Sequence, residues 1–331
     1  MPYYPEKKPD IPEETKQEAR TTEKRRKFLR VSLAVVSCLL IAYGGIRLIV
    51  YISELAASRQ TSRELKKIND LAESGTDSPL PAETFSPSPV LSSAPAAAGQ
   101  ELQDTETLPP VSEADNGVLR PVPYPDNPKL EIPERFRSLR KKSNYIIGWI
   151  SFDQVDEAVA QKDNTFFLNH DALGKRNSNG AIFLDEDVRL ITRPYTLFLY
   201  GHNMKSGNMF GRLKKYKENT YFYQHRIITF DTMYEEGQYA VFAVMEMNTV
   251  PGTGLWYDLW SLNTDSSTDR EKAIRTMESR SAIRSMLDVQ ADDQLLLLIT
   301  CLDGETERLV VAARRLRNGE ATDRLMLRLE Q

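Results

Sequence analysis

Gln294 to Leu316 reads QLLLLITCLDGETERLVVAARRL, and its two apolar runs decide the architecture of the folded part. Leu295 to Ile299 is unbroken aliphatic sequence closed by Thr300 and Cys301, Asp303-Gly304 is a turn signal, and Leu309, Val310 and Val311 then resume. Short runs that are apolar at every position and separated by a turn predict two adjacent strands buried on both faces. Cys301 then stands at the mouth of one strand, and Arg308 opens the strand that returns beside it. A guanidinium fixed near a thiol favours the thiolate, which is the nucleophilic form. The plainer reading of the same residues is a buried structural cysteine beside a solvated arginine.

Upstream of this hairpin the chain continues in short apolar or alternating runs. They are Tyr145 to Ile150, Ala158 to Gln161, Ala181 to Leu184, Thr196 to Tyr200, Ile227 to Phe230 and Tyr239 to Met247. With Leu295 to Thr300 and Leu309 to Arg314 they make eight strands joined by brief helices, which predicts a mostly β fold, a closed or nearly closed barrel rather than a doubly wound sheet. Pro133 starts a helix over Glu134 to Lys142 with Phe136 and Leu139 on one face. Met209 to Phe222 is a second, aromatic-rich helical interruption. Asp269 to Met286 is a third, with Ala273, Ile274, Met277, Ile283 and Met286 in partly helical spacing.

The first part of the chain has a different composition. Residues 1–27 are polar and end in the basic cluster Lys24, Arg25, Arg26 and Lys27, followed by Arg30. Residues 28–52 form an apolar segment longer than the roughly 20 residues needed to cross a bilayer. A cleaved signal peptide competes with this reading, but the run is long for a signal and starts late. The basic cluster predicts a single-pass anchor with a cytoplasmic N-terminus and the rest of the chain outside. Residues 53–129 read as an extracellular stalk, helical around Leu65, Ile68 and Leu71, followed by a disordered Pro-, Ser- and Ala-rich linker. As a flexible coil, such a stretch would reach about 50 Å. The folded domain is expected at 130–317, with a C-terminal tail at 318–331.

Formal net charge is −4, and no aromatic-basic stripe is present, so nucleic acid is not an expected partner. The two cysteines are Cys38, inside the apolar segment, and Cys301. They cannot pair, which leaves Cys301 as the one thiol outside the lipid in an oxidising compartment. No HExxH, CxxC or phosphate-loop spacing occurs, so neither a metal nor a cofactor is expected. The acidic run Asp185-Glu186-Asp187 reads as ordinary surface.

An isolated thiol is mostly protonated at neutral pH and needs a base to work. Three histidines are available, His170, His202 and His225, and spacing alone does not choose among them. Gly201 and Gly207 bracket a loop at His202 that could bring imidazole and backbone close to a ligand.

Several motifs together resemble the class B sortases: NYIIGWISF at 144–152, KDNTFFLNHD at 162–171, GAIFLD at 180–185, LYGHNMKSGNMFGRLKKY at 199–216, and LITC followed by RLVVAARRL. The resemblance spans about residues 130–316. It implies an eight-stranded sortase barrel with an added N-terminal helix and a helix in the long connection before the cysteine strand. It makes Cys301 the nucleophile, His202 the general acid/base and Arg308 the cation for the substrate carbonyl or oxyanion. Thr300, Asn164, Leu168 and Asn203 match positions near the substrate groove. Leu297 departs from the family pattern, standing where threonine is usual, and the connection from Cys301 to Arg308 is short.

The implied activity is that of a membrane-anchored cysteine transpeptidase in a Gram-positive type cell envelope. Its partners would be secreted proteins bearing a C-terminal sorting motif and an amine acceptor, either a lipid-linked peptidoglycan precursor or a pilin lysine. A cysteine hydrolase on the same scaffold and a non-catalytic tethered binding domain are the alternatives at this stage.

Overall fold

The computed structural model describes residues 13–73, 117–119, 123–302 and 306–320. The chain divides into two units, Met1–Ala57 and Ser58–Gln331. In the first, the described residues belong to helix α1 (Glu13–Glu73), and its large apolar side chains from Phe28 to Ile52 are exposed. One helix among the described residues, Lys24–Glu73, is long and apolar enough to cross a membrane.

In the second unit eight strands close into a barrel. They are β1 (Ile146–Phe152), β2 (Val155–Ala160), β3 (Ile182–Leu184), β4 (Thr196–Tyr200), β5 (Ile227–Thr232), β6 (Gln238–Asn248), β7 (Leu295–Cys301) and β8 (Glu307–Arg315). The order around the barrel is β1-β2-β3-β4-β7-β8-β6-β5. Neighbours run antiparallel except β2 with β3 and β4 with β7. Parallel strands cannot be joined by a tight turn. The chain therefore leaves the end of β4 and builds helix α3 (Asn219–Gln224), β5, β6 and helix α4 (Ser267–Ser279) before β7 returns alongside.

All eight predicted strands are present, most of them a residue or two longer than their apolar runs. In β1, β2 and β3 the side chains alternate between two cores, as the period of a strand requires. Ile182 and Leu184 of β3 face the barrel interior, whereas Ala181 and Phe183 join an outer cluster. Ile150 of β1 likewise points inward and Trp149 outward. The outer cluster is completed by Phe136 and Leu139 of helix α2 (Glu134–Lys142), on the face predicted for it, and by Leu65 and Ile68.

Those last two residues change the boundary expected from the sequence. Leu65 is 2% exposed, and Asn69 accepts a 2.6 Å hydrogen bond from Arg135. Leu119 and Tyr124, inside the expected linker, are also buried, and the Tyr124 hydroxyl donates to the Leu190 carbonyl. A spacing of three between Leu65, Ile68 and Leu71 marks an apolar face but not what covers it. Residues 74–116 and 120–122 of the expected linker lie outside the described residues.

Glu157 of β2 sits half-buried against this helix, hydrogen-bonded to Ser62. Burial pushes its carboxyl from 4.5 up to about 7, with Asp156 adding to the rise and Ser62 and Lys66 opposing it. A carboxyl raised in the folded state adds stability below its unfolded value, and that stability is lost as pH rises through about 7. Glu157→Gln should leave stability unchanged at pH 4 and raise it at pH 8 by about 1 to 2 kcal/mol, seen as a higher melting temperature only at pH 8. Thermal melts at the two pH values check this.

Strand β6 is longer than its partner β5, which pairs with it only from Gln238 to Ala240. Backbone groups beyond Ala240 on that edge must find other partners. Val241 N–H donates to Arg226 O, Asn248 N–H to Leu255 O, and Val244 accepts from Ala282 N–H while donating to Ser281 Oγ. This recruitment explains why α4 ends at Ser279 rather than at the expected Met286. Ser281 and Ala282 bond to Val244 of β6 rather than continuing the helix, and Met286 is 73% exposed. The predicted apolar face survives as Ala273, Ile274 and Met277, beside a fully buried Arg270.

Candidate active site

Strand β7 exhausts its aliphatic residues at Ile299 and ends Thr300-Cys301. Cys301 is exposed and pairs with Arg308, which is half-buried at the start of β8. The six residues between them form the short connection anticipated from the sequence, and Leu302 N–H donates to Glu307 O at 3.0 Å; residues 303–305, with the Asp-Gly signal, lie outside the described residues. On the other side of β7 the parallel ladder with β4 finishes at Tyr200 and Ile299. Gly201 N–H then donates to Ile299 O at 3.2 Å, and the Thr300 hydroxyl donates to Gly201 O at 2.7 Å. His202 and Cys301 each stand two residues beyond that last pair.

The His202 ring is fixed by one contact of 2.7 Å between Nε2 and the carbonyl oxygen of Leu168. A carbonyl only accepts, so Nε2 carries the hydrogen, and the neutral ring keeps Nδ1 as its lone-pair nitrogen. The His202 carbonyl accepts from both Met204 and Phe210 N–H, which folds the following loop back on itself. Gly180, at φ +63°, makes room for the ring: a Cβ there would lie 2.4 Å from Phe167 O and 3.0 Å from His202 Cδ2.

Leu168 ends a turn that begins at Asp163, whose Oδ1 accepts from Thr165 N–H, Phe166 N–H and the Thr165 hydroxyl. The side chain of Asn164 is held at both ends. Its Nδ2 donates to Asp185 Oδ2 at 3.1 Å, and its Oδ1 accepts from Glu186 N–H at 3.0 Å. The Tyr200 hydroxyl donates to the same Asp185 oxygen at 2.9 Å. Burial and then the Asp185 carboxylate push the Tyr200 phenol upward, with Arg308 acting in the opposite direction.

The structure thus brings Cys301, Arg308, Thr300 and His202 to one end of the barrel and sets Leu168 against His202. Asn203 follows directly and bridges to Met209. Leu297 is buried in the core, so its departure from threonine is met by apolar packing. The other two histidines are engaged elsewhere. His170 stacks on Phe166 with centroids 4.0 Å apart, and His225 lies 3.9 Å from Asp153.

Asp185 corrects the sequence reading, which took it as surface. It is 1% exposed and gathers three donors, from Tyr200, Asn164 and the Asp187 backbone. Its position directly after the aliphatic run of β3 was the available signal.

A family model for the sortase domain matches residues 151–316. The chain belongs to the sortase family. It is 27% identical over 189 residues to Sortase B of Listeria monocytogenes, covering 55% of this chain and 74% of that protein. The crystal structure of sortase B from B. anthracis in complex with AAEK2 superposes with a TM-score of 0.51 at 28% identity, covering 57% of this chain and 86% of the other. A Staphylococcus aureus sortase B-substrate complex gives a TM-score of 0.50 at 26% identity, covering 57% and 88%. This sortase is of class B, a cysteine transpeptidase on an eight-stranded barrel.

Proposed function

We propose that this sortase is held in the cell membrane by residues 28–52 and cleaves a C-terminal sorting motif of secreted proteins at the outer face. His202 takes the Cys301 proton on Nδ1, and Sγ attacks the carbonyl of a threonine in the motif. The C–N bond breaks, the imidazolium returns its proton to the leaving amine, and a thioacyl enzyme remains. An acceptor amine, on a lipid-linked peptidoglycan precursor or a pilin lysine, then forms a new amide and releases the thiol. Arg308 faces the oxyanion, a role worth roughly 3 to 4 kcal/mol for one well-placed donor.

The observation that carries this reading is the pairing of Cys301 with Arg308 on one side of β7, with His202 at the end of β4 on the other. The S. aureus sortase B-substrate complex supports a substrate-binding role for a barrel of this kind. Asn203 would line the groove by its place after His202, Leu168 and Thr300 would bound it, and Asn164, whose side chain is held by Asp185 and Glu186, would act through the turn that it opens.

The test is mass spectrometry of the full chain in detergent with a library of sorting-motif peptides. A thioacyl adduct on Cys301 that disappears when a triglycine amine is added is the expected result. Release of free acid at the same rate with and without the amine would make the protein a hydrolase instead. Cleavage with no adduct, undiminished in Cys301→Ala, would remove the proposed site.

A further inference from the structure

Burying a carboxylate is costly unless it is fully hydrogen-bonded, so a buried Asp identifies what it holds. The three donors on Asp185 come from three pieces of chain. One is its own turn, through Asp187 N–H at 2.9 Å. The other two are the pieces that flank His202. Tyr200 ends β4 two residues before the imidazole. Asn164 opens the turn that closes with Leu168, the acceptor of the imidazole hydrogen bond. Leu168 carries an exposed side chain, and its carbonyl stands between two that are themselves held, Phe167 O accepting from Ala181 N–H and Asn169 O from Asn177 N–H.

We infer that Asp185 is a positioning residue for His202: a single carboxylate oxygen ties together the strand that carries the Nε2–H donor and the turn that carries its Leu168 acceptor. Both ends of the bond that orients the ring are thereby fixed to one buried point. The consequence is chemical as well as structural. The Nε2–H to Leu168 bond selects the tautomer with Nδ1 unprotonated, and a ring freed from Leu168 would exchange tautomers and orientations. This role rests on the proposal that His202 is the acid/base. It adds a residue that touches neither substrate nor reacting atoms.

The test compares the wild-type full chain with Asp185→Asn, which keeps size but loses the charge and an acceptor. The expected result is a fall in kcat of about 10- to 100-fold, as for other orienting partners of a catalytic imidazole, with KM changed less than about 3-fold. Because the chain has only three histidines, nitrogen-15 NMR of histidine-labelled protein resolves the ring of each. Wild type should show His202 as the Nε2–H tautomer and Asp185→Asn a mixture. If Asp185 acts through the turn, Asp185→Asn combined with Asn164→Ala should be no slower than the slower single variant. Tyr200→Phe and Asn164→Ala each remove one arm and carry the same expectations should Asp185→Asn fail to fold.

A folded Asp185→Asn, or both one-arm variants, with kcat within about 3-fold of wild type would overturn the inference. So would an unchanged tautomer, or losses that multiply in the double variant. Activity retained in Cys301→Ala would instead overturn the proposed function, which keeps the two failures apart.

Discussion

His202→Ala lowers kcat for peptide cleavage by about 10²- to 10⁴-fold, while Cys301→Ala abolishes the thioacyl adduct altogether. The two losses differ in kind. Without imidazole the thiol still meets its substrate, so acylation slows but an adduct can accumulate. Without sulfur there is no bond to form. Arg308→Ala should cost about 10²- to 10³-fold, and Arg308→Lys should recover little of it, because an ammonium is a point charge without the planar fork of a guanidinium. Cys301 is exposed, and His202 and Arg308 are half-buried, so these changes should move stability by less than about 0.5 kcal/mol. Single-turnover kinetics beside thermal melts separate the two effects. A His202→Ala protein that melts like wild type and acylates within about 3-fold of it would strip the imidazole of its role.

How legible these residues were in the sequence depends on how local their physics is. The β7–β8 hairpin could be read because both strands are buried on both faces and so lack any polar period. Strand ends were read short wherever a polar residue finishes the ladder, as Cys301 does in β7 and Glu307 in β8. Beyond that hairpin, the order of the strands around the barrel could not be read from local pattern. The parallel pairing of β4 with β7 joins segments that are remote in the chain, and no local pattern records it. The same limit hid Asp185. Its partners Tyr200 and Asn164 are 15 and 21 residues away, and an acidic triplet looks like surface until two distant donors turn one member inward. Leu65 and Ile68 showed a helix but not its cover, since Phe136 and Leu139 lie across the 74–116 segment. Met286 falls on the expected helical face because the open edge of β6, which takes the hydrogen bonds of Ser281 and Ala282, is not encoded near that residue.

Arg270→Met should cost about 3 to 5 kcal/mol of stability, the upper end for a single substitution, although it replaces a buried charge with an apolar side chain of similar length. Replacing buried ion pairs by apolar residues is often neutral, because both charged partners leave together. Here the partners are backbone and stay. Arg270 is 0% exposed and donates to the carbonyls of Leu262, Tyr195, Asp293 and Ala291 and to the Thr196 hydroxyl. Removing the guanidinium strands those acceptors in a dry interior. Burial pushes the Arg270 pKa down to about 10 while Asp293 opposes the fall, so the group remains a cation at neutral pH. Urea unfolding of wild type and variant measures the difference, and a loss below about 1 kcal/mol would mean that water or rearrangement satisfies the carbonyls. The location gives the result a second meaning. Tyr195 and Thr196 open β4, Asp293 leads into β7, and those strands run parallel from Thr196 with Leu295 to Tyr200 with Ile299. Arg270 pins the entrances of the two strands whose exits carry His202 and Cys301. A slip of one residue between them would turn every side chain of one strand to the opposite face and separate imidazole from thiol. The buried guanidinium therefore holds, at the far end of the barrel, the alignment on which the proposed pair of His202 and Cys301 depends.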